Sequence, residues 1–367
     1  MKYRLQFLTV IPSPYQQELF NALSRSGDME ISVLYYSAAA GDRSWNPPEL
    51  PAYEKIMPGK KLCGCSFHSV INTGVIREIK NTGADLVIVS DYSFVSAQFA
   101  MWYLTFTGKK WIYWGETPGI RSGLLRSCFR SLLMLPIKLG ADAVCAIGSR
   151  AEKSYREWLR DKKPVFNIPY FCNLHPFKTT SKDKHERINI LFSGQFIARK
   201  GIDLLLQAFA LIADEYPDVD LVLAGGDEKD IDPGYIPDKY RDRITFAGFV
   251  QPAGLPELFA KADIFVLPSR YDGWGVVINE ALGAGLPIIA SDQAGAAHDL
   301  VRHGENGFIF PAGDIQQLAH NIRALAGSPE LREEFGNASR QLASMFDVDE
   351  GVKRWKSVCE HVLSGDR

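Results

Sequence analysis

The sequence predicts an α/β protein built from two tandem doubly wound domains, and three observations carry that prediction. Short β-rich runs alternate with amphipathic stretches through the first half of the chain. A polar, aperiodic segment at 176–187, PFKTTSKDKHER, interrupts the pattern as a linker would. The alternation then restarts and continues towards the C-terminus. Strand–helix alternation implies parallel strands joined by crossover helices. A length of 367 residues, 46% of them hydrophobic, suffices for two cores.

Taken in order, Tyr3–Val10, Glu30–Tyr36, Asp85–Ser90, Lys110–Trp114, Ala143–Ile147 and Pro164–Ile168 read as buried strands, short and rich in Val, Ile and aromatics. Tyr15–Ser24, Val70–Asn81, Leu124–Leu139 and Arg150–Arg160 read as helices between them, while 37–69 shows no regular pattern. The first domain spans 1–180. In the second, at 187–347, the expected strands are Arg187–Phe192, Val219–Ala224, Arg243–Ala247, Ile264–Leu267, Pro287–Ala290 and Gly307–Phe310. Its expected helices are Gly201–Glu215, Leu255–Ala262, Val276–Gly283, Ile315–Ala326 and Pro329–Met345. A last helix, Val348–Leu363, within 348–367, is expected to pack back on the first domain. Ligands of such sheets bind beyond the carboxyl ends of the strands, so a cleft between the two domains is the expected site.

Charge is unevenly divided. Residues 1–180 hold 22 Lys and Arg against 14 Asp and Glu, whereas the net charge of the whole chain is −2. The excess in the first half is too mild for a nucleic-acid binder. Lys2 and Arg4 precede a short apolar run closed by Pro12 and Pro14, which is not the pattern of an export signal. No run approaches the roughly 20 apolar residues of a membrane span, and six scattered cysteines do not form a disulfide framework. A cytoplasmic protein with reduced thiols is the expectation. Cys63, Cys65 and His68 could supply three metal ligands but lack the fourth that a structural zinc site wants.

Two segments carry chemistry. Ser193-Gly194-Gln195-Phe196-Ile197-Ala198-Arg199-Lys200-Gly201 links a strand to a helix. Small residues let backbone amides approach an anion, and Arg199 and Lys200 add two positive charges, a setting that suits a diphosphate. An ordinary turn with a solvated basic pair would look the same. The second segment, Pro268 to Pro287, follows a strand with a Gly-rich loop containing Asp272 and then a helix containing Glu280. Glu280 lies in a run of Val, Ile, Ala and Leu, a costly place for a carboxylate without donors, and ligand hydroxyls are natural donors. Local capping or pairing is the bland alternative.

Together the two segments resemble the C-terminal domain of family 4 glycosyltransferases, retaining enzymes of the GT-B fold with two Rossmann-like domains. The matching pieces are GQFIARKGIDLLLQAFA, VDLVLAGGD, ITFAGFV, LPELFAKADIFVLPSRYDGWGVVINEALGAGLPIIASD and GENGFIFPAGD, which cover most of 190–315. IPSPYQQELFNALS, at 11–24, is similar to the opening loop and first helix of bacterial polysaccharide members. The resemblance implies that Lys200, with Arg199, holds the donor diphosphate and stabilises the leaving group. It implies that Glu280 accepts hydrogen bonds from the donor ribose. Asp272 stands where the family usually has the first Glu of a paired-carboxylate motif, near the transferred sugar. The amides of Trp274, Gly275 and Val276 would line the phosphate and sugar, Phe249 and Val250 would hold the base, and Gly194, Gly225 and Gly226 would line the same cleft.

Three positions depart from the family pattern. Asp272 is one methylene shorter than Glu, Gln195 replaces a common Arg, and Trp114-Gly-Glu116-Thr117-Pro118 stands where many members carry a His. Glu116 is the substitute contact for sugar or acceptor, or else a plain loop carboxylate. Electrostatic stabilisation of the departing diphosphate is the main catalytic task, and Lys200 with helix amides would perform it without a metal or cofactor. Of the D-x-D pairs, Asp218/Asp220 and Asp347/Asp349 read as structural, leaving Asp230/Asp232 as the one pair that invites a metal.

Residues 121–138 are basic and apolar, with Arg126 and Arg130 on one helix face, and suggest contact with an anionic membrane surface. A crossover helix packed on the sheet would have the same composition. The expected activity is transfer of a sugar from a nucleotide-diphosphate donor to a glycan or lipid-linked acceptor, in bacterial polysaccharide biosynthesis. The alternatives are a sugar-nucleotide epimerase or hydrolase of the same fold, and a non-catalytic nucleotide-sugar-binding protein.

Overall fold

The structure is a computed structural model that describes residues 2–39, 49–61, 70–118, 124–181, 186–235 and 238–364. The chain divides into two compact units, 1–170 with 348–367, and 171–347. Each is a twisted parallel sheet carrying helices, as the alternation predicts: two Rossmann-like domains of the doubly wound class.

The sheet of the first unit contains β1 (Tyr3–Thr9), β2 (Met29–Tyr35) and β3 (Glu54–Ile56). A small antiparallel ribbon, β4 (Lys60–Lys61) with β5 (Val70–Ile71), stands apart from it. Four more strands complete the sheet: β6 (Leu86–Ser90), β7 (Trp111–Gly115), β8 (Ala143–Ala146) and β9 (Val165–Asn167). The strand order is β3-β2-β1-β6-β7-β8-β9, all parallel. Its helices are α1 (Pro14–Arg25), α2 (Val75–Thr82), α3 (Val95–Thr107), α4 (Leu124–Leu133), α5 (Leu135–Gly140) and α6 (Ser149–Leu159).

The second unit begins with α7 (His175–Thr179) and β10 (Ile188–Ser193), followed by α8 (Ile202–Ile212), β11 (Val219–Ala224), β12 (Ile244–Gly248) and α9 (Leu255–Ala260). It continues through β13 (Ile264–Leu267), α10 (Val277–Gly283), β14 (Ile288–Ser291), α11 (Ala297–Leu300), β15 (Gly307–Phe310), α12 (Ile315–Ala326) and α13 (Pro329–Ala343). The sheet order is β12-β11-β10-β13-β14-β15, again parallel throughout. The chain grows from β10 outwards to β12, then jumps back to β13 on the other side. The topological switch point therefore lies between β10 and β13, whose carboxyl ends open a crevice.

The helix ends follow capping rules. Asp314 accepts from the amide of Gln317 to start α12, and Ser328, with Pro329 behind it, accepts from Leu331 to start α13. The final helix, α14 (Val348–Ser364), belongs to the first unit. Its Trp355 is completely buried, edge-on to Phe7 at 5.3 Å and to Trp114 at 5.2 Å between ring centroids.

Four local expectations differ from the structure. The segment read as a helix from Val70 contains β5 first and becomes helical only at Val75, after Gly74. Leu124–Leu139 is two helices, broken at Met134 because Pro136 has no amide hydrogen to continue the ladder. The stretch read as a linker from 176 lies partly within α7, held by Phe177 against Phe259 and by Lys178 on Asp347 at 2.7 Å. Finally, the structure has a helix, α3, where the sequence pattern predicts none. Cys63, Cys65, His68 and Arg121 lie outside the described residues. Among the described residues no group of three or more His, Cys, Asp and Glu could hold a metal ion, and no helix is long and apolar enough to cross a membrane.

Removing a fully buried indole leaves a large cavity, so Trp355→Ala should lower the stability of the first unit by about 3–5 kcal/mol in chemical denaturation. Trp355→Phe should cost less, because among the described residues the indole nitrogen has no hydrogen-bond partner to lose. Equal losses for the two variants would mean that ring packing is not what holds α14.

Candidate active site at the switch point of the second unit

The site is built by two loops that leave neighbouring strands. After β10 the chain runs through Gly194 and Gln195 into a short 3-10 turn, Ala198–Lys200. Gly201 then takes a left-handed φ of 72° and opens α8. A side chain is excluded there on two counts: the φ favours glycine, and a Cβ would lie 2.1 Å from the carbonyl oxygen of Pro268. The loop after β13 is thus pressed against the start of α8. Arg270 fastens the contact. Its guanidinium makes a two-pronged bond with Asp203 in the first turn of α8, at 2.5 and 2.7 Å, and donates to the carbonyl of Ala198. Its amide donates to the carbonyl of Arg199 at 2.8 Å.

This stitching brings the basic pair to the carboxylate. Lys200 Nζ donates to Asp272 Oδ2, and Arg199 lies 3.6 Å from Asp272 Oδ1. The side chains of Lys200 and Asp272 are only 13% and 11% exposed, so water screens the pair poorly. Arg199 also donates to the carbonyl of Tyr271 at 3.1 Å. Asp272 in turn is fixed by its backbone: its amide donates to Gln293 and its carbonyl accepts from Gly295, both at 3.0 Å. Gly295 is there because a Cβ would lie 2.2 Å from the carbonyl oxygen of Gly273.

The remaining predicted residues fall around this centre. Trp274 turns its side chain into the core, where its indole donates to Asn279 at 2.9 Å, so only its backbone remains at the loop. Gly275 has φ 94° and Val276 occupies the N-cap of α10. Glu280 is half-buried in the first turn of α10, less enclosed than its apolar sequence neighbours suggested. Gly225 has φ 117°, and a Cβ on it would lie 2.2 Å from the carbonyl oxygen of Gly194. Its amide donates to Gly248 at 2.7 Å, which ties the ends of β11 and β12 together. Gly226 packs on the ring of Phe196. Phe249 follows with its ring 44% exposed, and Val250 is half-buried beside it. Gly194, Gly225 and Phe249 therefore follow the carboxyl ends of β10, β11 and β12 in that order.

Glu116 belongs to the first unit and follows β7. Its carbonyl accepts from Tyr155 Oη at 3.0 Å, and its carboxylate faces Tyr170 Oη at 3.4 Å. Burial, reinforced by Tyr15 and Glu116, pushes the Tyr170 phenol well above its ordinary value, so it stays a donor. The D-x-D pairs are engaged locally. Asp230 accepts from Asp227 and Asp232 from Gly234, both at 2.9 Å, while Asp220 pairs with Arg187 and Asp347 with Lys178. The Arg270–Asp203 clamp was missed by the sequence reading. The signal is an Arg three residues past a strand end and an Asp in a first helical turn, but nothing in one dimension pairs them.

Chemically, the crevice offers two cations already facing an anion. Replacing the carboxylate by a more highly charged diphosphate keeps both cations satisfied. Residues 176–342 match the family model described as glycosyl transferases group 1. An uncharacterized glycosyltransferase of Haemophilus influenzae is 27% identical over 213 residues, covering 57% of this chain and 59% of that protein. The chain spans about half the length of the curated relatives it matches. Among solved structures, sucrose-phosphate synthase from Thermosynechococcus elongatus superposes with a TM-score of 0.80 at 19% identity, covering both chains in full. Anabaena HepE, solved in complex with UDP, gives 0.73 at 16% identity over 98% of this chain and all of its own. These likenesses establish the GT-B fold.

If Asp272 occupies the cations that a diphosphate needs, Asp272→Asn should tighten binding of UDP on the order of tenfold, or about 1.4 kcal/mol. Calorimetric titration of UDP into both proteins reads this directly. Weaker binding by the variant would show that Asp272 orders Lys200 and Arg199 rather than competing for them.

Proposed function

We propose that the chain is a retaining glycosyltransferase that moves a sugar from a nucleoside-diphosphate donor to a hydroxyl of a glycan or lipid-linked acceptor. The observation that carries this reading is the meeting of Lys200 and Arg199 with Asp272 at the β10–β13 switch point, one loop away from Glu280. The match of 176–342 to glycosyl transferases group 1 supports it. In this reading Lys200 and Arg199 receive the charge that develops as the sugar–diphosphate bond breaks, which is where fixed electrostatics lowers a barrier most. Glu280 takes the ribose hydroxyls, Phe249 and Val250 border the base, and the glycines let the backbone of Gly194 and Gly225 approach the donor. Asp272, released from Lys200 by the incoming diphosphate, turns to the sugar, and Glu116 serves the acceptor side. The acceptor oxygen enters on the face the diphosphate leaves, so the anomeric configuration is kept. Lys200 and Arg199 supply the positive charge, and no divalent metal takes part. The setting is bacterial surface-polysaccharide assembly on the cytoplasmic side of a membrane.

Because Anabaena HepE was solved with UDP, uridine nucleotides head the donor panel. Melting curves with UDP-, GDP-, ADP- and dTDP-sugars should single out one base class. At 100 times the dissociation constant the gain is about 2.7 kcal/mol, and Glu280→Ala should abolish it. With that donor and candidate acceptors, NMR of the product should show the donor's own anomeric configuration and a rate unchanged by EDTA. An inverted product, or EDTA-sensitive turnover, contradicts the mechanism. Donor consumption without any acceptor would point instead to an epimerase or hydrolase on the same fold.

A further inference from the structure

The clamp between Arg270 and Asp203 stands behind the cations of the switch point and has no part in the reaction above. Asp203 is the second residue of α8, so its carboxylate lies at the same helix end as the loop that carries Arg199 and Lys200. An acidic side chain in a first helical turn is ordinary, since it complements the helix dipole. Beside a crevice that admits an anion, however, a carboxylate repels that anion. Asp203 is only 17% exposed, so water does little to screen it. Arg270 covers it with both guanidinium nitrogens, Nη1 to Oδ1 at 2.7 Å and Nη2 to Oδ2 at 2.5 Å.

The same guanidinium braces the loop. Nη1 also donates to the carbonyl of Ala198 at 2.7 Å, and the backbone amide of Arg270 donates to the carbonyl of Arg199 at 2.8 Å. Arg199 returns a bond, its Nη1 donating to the carbonyl of Tyr271 at 3.1 Å. Residues 198–199 are thus tied to 270–271, and two of these bonds need the arginine side chains. Asp272 orders Lys200 and Arg199 from the other side. A diphosphate that takes the place of Asp272 removes that restraint, and the clamp is then what keeps the cations in position. Lysine is no substitute for Arg270, because a single ammonium lacks the planar fork that meets both oxygens of a carboxylate.

We propose that Arg270 is a positioning residue for the donor diphosphate, bracing the loop of Arg199 and Lys200 and neutralising Asp203 at the helix end that the diphosphate approaches. It acts through Arg199 and Lys200 and is assigned no contact with the ligand. The proposal rests on the donor reading given above, and its test separates the two.

Calorimetric titration of the full chain with UDP, and with inorganic pyrophosphate, reads the effect without any acceptor. Arg270→Gln should weaken both probes on the order of tenfold, because the cations and not the base are disturbed. Arg270→Lys, which returns the charge without the fork, should recover only part of that loss. Asp203→Asn added to Arg270→Gln should also recover part of it, at low ionic strength but not at high salt, since that recovery is electrostatic. A purely structural role would tie affinity to melting temperature and leave the recovery indifferent to salt. Wild-type affinity in Arg270→Gln overturns the proposal, as does a double variant that binds no more tightly than Arg270→Gln at low ionic strength. Should Arg270→Gln fail to fold, Arg270→Lys carries the test, and undiminished affinity in it overturns the bracing role. Wild type that binds neither probe overturns the donor reading, and the proposal falls with it.

Discussion

In a parallel sheet whose chain grows from the centre outwards in both directions, two loops must diverge at the point of reversal. Everything in the second unit that resembles chemistry depends on how those two loops are held. The contact that fixes them is the ion pair of Lys200 with Asp272, backed by Arg199 and by the Arg270–Asp203 clamp. A poorly screened pair of this kind carries a desolvation cost that its own attraction only partly offsets. It is therefore a weak reason for stability and a better reason for specificity. It keeps two cations ordered, and a ligand of higher charge can inherit them without reorganisation.

The glycines make this possible by removing atoms. At Gly201, Gly225 and Gly295 the nearest obstacle to a Cβ is a backbone carbonyl at 2.1–2.2 Å, which no rotamer change can relieve. These positions bring loop to loop and strand end to strand end at backbone distance. Side-chain packing alone could not hold the loops so close, since each added methylene would separate them. The Gly-rich composition of the segment thus has a mechanical meaning: it lets backbone amides and cations gather at one crevice.

How much of this was legible in the sequence varies with the physics of each element. Ile264–Leu267 is a short apolar run buried along its whole length and Val219–Ala224 a mostly apolar run that alternates buried with half-buried residues, and both spans appear in the structure unchanged. The edge strand β3 escaped because its sequence, Glu-Lys-Ile, has no apolar run. Its Glu54 is nevertheless buried, accepting from Gln17 at 2.8 Å and from Tyr35 at 2.9 Å. The helix α3 escaped for the opposite reason: it is apolar on nearly every side, so it shows no amphipathic stripe, and its Phe, Trp, Tyr and Thr favour strands. Around the site, Lys200, Asp272 and Glu280 were visible because two strand–loop–helix segments repeat a known pattern. That Lys200 and Asp272 touch was not visible, because 71 residues separate them and only the sheet order makes them neighbours.

The uneven charge of the chain bears on its two halves differently. The second half of the chain is acidic overall, yet its switch point gathers Arg199, Lys200 and Arg270 within two loops. An anionic ligand entering there would meet a local positive field set against a repulsive surround, which would favour one crevice over the rest of the surface. The first half carries an excess of Lys and Arg without such a focus.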